Sequence, residues 1–147
     1  MKRKIFNFLI SFMLVFASVC SFVACDRGTI QAEVVETRET LVVIKIEKTD
    51  GVATLLDMMN ELKETEKISF VIKNGMVTSI NGKENETVSP SEGYSWMLYT
   101  SDEANANKTW GTCEYDGKVY GSAAAGANML KAVQGAYYIW SYDQWSF

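Results

Sequence analysis

Ile68-Ser-Phe-Val-Ile-Lys73, Asn74-Gly75 and Met76-Val-Thr-Ser-Ile-Asn81 follow one another without interruption. Two short alternating runs separated by Asn-Gly predict a β-hairpin. The tight turn needs positive φ at both central residues, and Asn and Gly tolerate that conformation best. Toward the amino terminus, Leu55, Leu56, Met59 and Leu62 recur at helical spacing, with Glu61, Lys63, Glu64 and Glu66 left to face water. Thr54 and Asp57 have the spacing of a capping box, with Asp in place of the preferred Glu or Gln. Further back, Leu41-Val-Val-Ile-Lys-Ile-Glu47 places Val42, Ile44 and Ile46 on one face of a strand.

Toward the carboxyl terminus, residues 82–93 read as a loop, because Asn81-Gly82, Ser89-Pro90 and Gly93 punctuate them. Gly93-Tyr-Ser-Trp-Met-Leu-Tyr-Thr100 is a strand, and the polar stretch 101–109 a second long loop. Trp110–Tyr115 and Lys118–Gly121 flank Asp116-Gly117 as another hairpin. Ser122–Leu130 is small and Ala/Gly-rich, a crossing loop or short helix, and Ala136-Tyr-Tyr-Ile-Trp-Ser-Tyr142 is the last strand. The order strand, helix, hairpin, strand, hairpin, strand predicts an α+β fold: a mixed sheet packed on one main helix.

The start of the chain is of another kind. Lys2-Arg-Lys4 precedes a mostly apolar run from Ile5 to Val19, and small residues follow. A basic start, an apolar core and a small-residue cleavage region are the parts of a signal peptide. The apolar run is shorter than the roughly 20 residues of a spanning helix. Phe22-Val-Ala-Cys25 resembles a lipobox, so residues 1–24 read as a lipoprotein signal peptide and Cys25 as the lipidated residue. Residues 25–39 then form a polar tether, and 40–147 the folded domain. Each buried methylene of the lipid contributes about 0.8 kcal/mol, and two chains suffice for stable anchoring. The expected location is the extracytoplasmic face of the cell membrane.

Charge and composition narrow the function. Lys2, Arg3 and Lys4 are three of 14 basic residues, so the rest of the chain carries 11 against 18 acidic, a net charge of −7. That sign repels phosphate backbones and argues against nucleic-acid binding. Histidine is absent, which removes the usual Ser-His-Asp and Cys-His arrangements. No Cys-x-x-Cys or His-Glu motif offers zinc ligands. With Cys20 in the leader and Cys25 lipidated, Cys113 has no disulfide partner and reads as a small strand residue. The expectation is a protein that is not an enzyme and carries neither metal nor cofactor.

Aromatic residues crowd the last third. On the final strand Tyr138, Trp140 and Tyr142 share one face, and Tyr137 and Ile139 the other. A sheet with one helix is expected to bury only one face, so the other presents aromatics to a ligand. The candidate ligand-binding residues are Tyr94, Trp96, Tyr99, Asp102, Trp110, Tyr138, Trp140 and Tyr142, with Asp102 and Trp110 contributed by the 101–110 region.

Gly51-Val-Ala-Thr-Leu-Leu-Asp57, Val77-Thr-Ser-Ile-Asn-Gly82, Gly93-Tyr-Ser-Trp-Met-Leu-Tyr99 and Gly135-Ala-Tyr-Tyr-Ile-Trp-Ser-Tyr142 occur in this order. Together they resemble the transcobalamin C-terminal-like domain of secreted bacterial proteins and lipoproteins. The resemblance implies a β-grasp-like sheet around one helix, and a corrinoid as ligand. The expected function is therefore that of a surface-tethered binding lipoprotein for a small molecule such as a corrinoid. The alternative is a protein–protein interaction module, an accessory subunit of an envelope complex.

Overall fold

The computed structural model describes residues 29–147. Two strands open it, β1 (Gln31–Arg38) and β2 (Leu41–Lys48), followed by the helix α1 (Leu55–Glu64). Then come β3 (Phe70–Lys73), β4 (Met76–Ile80), β5 (Lys83–Glu84), β6 (Glu86–Ser89) and β7 (Glu92–Thr100). A single 3-10 turn, Glu103–Asn105, leads into β8 (Ala106–Tyr115), β9 (Lys118–Ala123) and β10 (Tyr137–Ser146). The large sheet runs β1-β2-β10-β7-β9-β8, with β6 also on β7, and a small sheet runs β3-β4-β5.

The α+β, β-grasp-like expectation of a mixed sheet on one main helix is overturned. Of the described residues, 57% are strand and 11% helical, and the strands form two antiparallel sheets. Three stretches without a clear period account for the difference. Gln31–Arg38, assigned to the tether, is an edge strand paired with β2. The loop assigned to 82–93 contains β5, β6 and the start of β7, and most of the 101–109 loop is the 3-10 turn and the start of β8. Cys25 and the leader lie outside the described residues.

Local chemistry explains the rest. Asn74 and Gly75 both have positive φ at the β3–β4 turn, and Asn81-Gly82 and Asp116-Gly117 repeat the pattern. Thr54 caps α1 as a true capping box: its Oγ1 accepts from the Asp57 N–H at 3.2 Å, and Asp57 Oδ2 accepts from the Thr54 N–H at 2.7 Å. The next two helical N–H groups, of Leu55 and Leu56, donate to Leu130 O and Ala127 O. The segment 127–130 is thereby fixed to the helix start, where free donors would otherwise need water.

Both faces of the large sheet are covered. On one, Leu55, Met58, Met59 and Leu62 of α1 join Phe70, Val77 and Ile80 of the small sheet over Tyr138, Trp140 and Ile44. On the other, Tyr120 packs with Val43, Tyr99 and Ile139, with Cys113 and Tyr115 of β8 against them. Tyr138 and Ile139 are neighbours on opposite faces, and each is 0% exposed. The expected open aromatic face is therefore covered around Ile139 by residues of the β8–β9 hairpin. The pairing of that hairpin is interrupted: Asn107 pairs with Ser122 and Thr112 with Gly121, so residues 108–111 bulge out.

Candidate functional site

The outer edge of β7 changes partner partway along. β6 is in register with Glu92–Tyr94, and β9 with Tyr99 and Thr100. Neither is in register with Ser95–Leu98, although β10 pairs with β7 along its whole length on the other edge. A cleft of about 390 Å³ lies at this break. Its walls are Ser95–Leu98, the β3–β4 turn at Gly75–Val77, Asn85, and the small-residue stretch Ser122–Ala127, with Trp140 also lining it.

Each wall is held. Asn85 Oδ1 accepts the Trp96 backbone N–H at 3.0 Å, so a side chain replaces the missing strand partner there. Lys83 O accepts the Trp96 indole N–H at 2.8 Å. The Ala127 carbonyl is tied to the helix start, and the Ala124 N–H donates to Asn105 O at 2.8 Å. The opening has softer groups: Met76 is 66% exposed and Met97 also reaches the surface. Unbranched methionine adapts to irregular ligands.

The electrostatics of the cleft are simple. No Asp, Glu, Lys or Arg is among its lining residues. The Trp140 indole N–H is buried without an acceptor, and among the described residues the one other buried side-chain polar atom without a hydrogen-bond partner is Glu61 Oε2. Glu61 sits on α1, away from the cleft walls. Burial raises its carboxyl above the ordinary range, and the Ala32 N–H opposes that shift.

Of the eight expected residues, the structure brings only Trp96 and Trp140 to this cleft. Tyr138 is core, fully buried. Tyr94 stacks on Tyr142 with centroids 5.8 Å apart, Trp96 meets Tyr142 edge-on at 5.4 Å, and Lys83 Nζ lies 4.7 Å from the Tyr142 ring centre. That stack braces β7 against β10. Asp102 caps the 3-10 turn, accepting from the Ala104 N–H at 3.2 Å and from Asn105 Nδ2 at 2.6 Å. Trp110 is 64% exposed on the β8 bulge and is not a cleft wall. Met76, Met97, Asn85 and Ala125 were not expected. The one signal for them was the run of small residues from Ser122, which leaves room where larger side chains would fill the gap.

Tyr99 belongs to a polar cluster on the opposite face. Its hydroxyl donates to Asp143 Oδ2 at 2.6 Å, and Ser141 Oγ donates to Asp143 Oδ1 at 2.5 Å. Burial, then the bond and charge of Asp143, push the Tyr99 phenol far above its usual range. Burial and the same charge raise the Cys113 thiol, which keeps it protonated and a weak nucleophile.

No helix among the described residues is long and apolar enough to cross a membrane. Comparison of the chain with protein-family models, with the curated proteins and with the solved structures gives no match.

Proposed function

We propose that the chain is a non-enzymatic binding lipoprotein, tethered through Cys25 to the outer face of the cell membrane, whose cleft beside β7 captures a small molecule. The observation that carries the reading is the break in β7 pairing, which leaves a cleft of about 390 Å³ lined by Trp96 and Trp140. That volume is at the lower end of the roughly 300–1,000 Å³ of small-molecule sites. A corrinoid, the ligand implied by the family resemblance, is larger than such a cleft encloses, and a smaller ligand suits it better.

Ala125 is a partly buried wall residue outside the strands. Ala125→Trp is expected to fill the cleft and weaken capture of the neutral aromatic ketone acetophenone at least tenfold, with thermal unfolding unchanged. Ligand-observed NMR measures the first and calorimetry the second. Equal binding by the variant would place the site elsewhere. Cobalamin and cobinamide serve as parallel ligands, and heat from either that survives Ala125→Trp assigns corrinoids to another surface.

The tether has its own test. Cys25→Ser is expected to move the protein from the membrane fraction to the soluble extracytoplasmic fraction and to remove the lipid mass from its amino terminus. An unchanged mass and distribution would rule out lipidation at this residue.

A further inference from the structure

We infer that the cleft selects an uncharged ligand carrying a carbonyl-type acceptor, and that the indole N–H of Trp140 is the group that reads it. The inference rests on the cleft being the binding site, and it concerns the chemistry of the occupant.

The four tryptophans differ in how their N–H groups are satisfied. Trp96 donates to Lys83 O at 2.8 Å and Trp145 to Ser95 Oγ at 3.0 Å. Trp110 stands in water at 64% exposure. Trp140 is 4% exposed, lines the cleft, and has no acceptor. A buried indole N–H ordinarily finds a partner, because leaving it unpaired forfeits its hydration with nothing in return. In this protein the residue that holds the orphan donor also lines the cleft beside β7. An oxygen that reaches the indole edge supplies the missing acceptor, and the soft side chains Met76 and Met97 at the cleft let its wall adjust.

The rest of the lining fixes the charge of the occupant. A carboxylate or ammonium entering the cleft leaves its hydration shell and meets no ionised side chain to replace it. Trp96, Met76, Met97 and Leu98 offer apolar surface to the body of the ligand. The occupant is thus a small neutral molecule, mostly apolar, with an acceptor oxygen at one end.

Acetophenone and α-methylstyrene make a matched test. They share shape and differ in one group, a carbonyl in the first and a terminal methylene in the second. Benzoate supplies the charged member. The full chain is expressed with its leader, processed by the host and extracted in mild detergent. It carries 15N on the indole nitrogens, and the same detergent with Trp140→Phe protein gives the partitioning baseline. Acetophenone is expected to bind roughly tenfold more tightly than α-methylstyrene relative to that baseline, the size of one hydrogen bond to a formerly unpaired donor. The Trp140 indole proton should move downfield with acetophenone alone. Should Trp140→Phe fail to fold, the indole shift in the natural sequence decides the matter by itself.

Equal affinity for the two neutral probes with an unmoved Trp140 indole would overturn the acceptor inference and leave the cleft as a binding site. Benzoate binding as tightly as acetophenone would overturn the neutral-ligand part. Absence of any probe binding that Ala125→Trp abolishes would overturn the cleft reading, and this inference with it.

Discussion

Tyr138→Ala is expected to destabilise the fold by about 3–5 kcal/mol, the range for emptying a large buried aromatic site. Tyr138 is fully buried near the start of β10, between Ile44 of β2 and Thr100 of β7. The total stability of a domain this size is about 5–15 kcal/mol, so the variant would lose a large share of it. Tyr138→Phe separates packing from hydrogen bonding. The hydroxyl donates to Lys131 O and accepts from the Val133 N–H, both at 3.1 Å. Burial raises the phenol further above its ordinary range, so it remains protonated at neutral pH and keeps both roles. Without it, one carbonyl and one amide of a packed segment lose a partner, at about 1–3 kcal/mol. Urea denaturation followed by circular dichroism measures both variants. The Phe variant has a second expected consequence. The segment from Ala127 to Lys131 holds the helix start and one wall of the cleft, so acetophenone binding should weaken even where the protein stays folded. A Phe variant as stable as the natural protein, with unchanged binding, would mean that this hydroxyl fixes nothing.

The contrast between Tyr138 and Trp110 shows what sequence patterning conveys here. Turn chemistry is local, so Asn74-Gly75 and Asp116-Gly117 announce their hairpins and Thr54 announces the start of α1. Burial of β10 is not local. Alternation correctly assigns Tyr138 and Trp140 to one face and Ile139 to the other, but which face meets water depends on strands far away in sequence. Ile139 pairs with Tyr99 and with Val43, and the β8–β9 hairpin then closes over that side. β1 is hard to read from the sequence for the opposite reason. It is an edge strand whose burial alternates, with Gln31, Glu33 and Val35 facing solvent, but an exposed Val35 beside a half-buried Glu36 breaks the apolar–polar alternation of its sequence. The cleft was half legible. Trp96 and Trp140 stood out by residue type, whereas the break between β6 and β9 is a property of pairing register that no single segment carries.

Gly93→Ala is expected to cost about 3 kcal/mol, the upper end of what overpacking imposes, because the obstruction includes backbone. A Cβ on Gly93 would run into the carbonyl oxygen of Glu86 and lie 2.8 Å from Trp145 Cε2. β7 cannot yield at this point, since Gly93 is paired with Thr87 on one side and with Trp145 on the other. Either β6 lifts away or the Trp145 ring leaves its place. The ring's departure breaks its bond to Ser95 Oγ and its packing on Phe147, whose ring centre is 5.3 Å away. Lifting β6 strains Asn85, the residue before it, whose Oδ1 holds the Trp96 N–H at the cleft. The substitution thus reaches the binding site through the sheet edge. Gly82→Ala is the control. Its φ is +82° and an added Cβ meets nothing within 4 Å, so it carries only left-handed backbone strain of about 1–2 kcal/mol. Denaturation midpoints should therefore fall for both, and Trp145 fluorescence should change only for Gly93→Ala. Equal losses with silent fluorescence in both variants would show that β6 and the indole do not close on Gly93 as described, and that the edge of β7 beside the cleft is looser than its pairing implies.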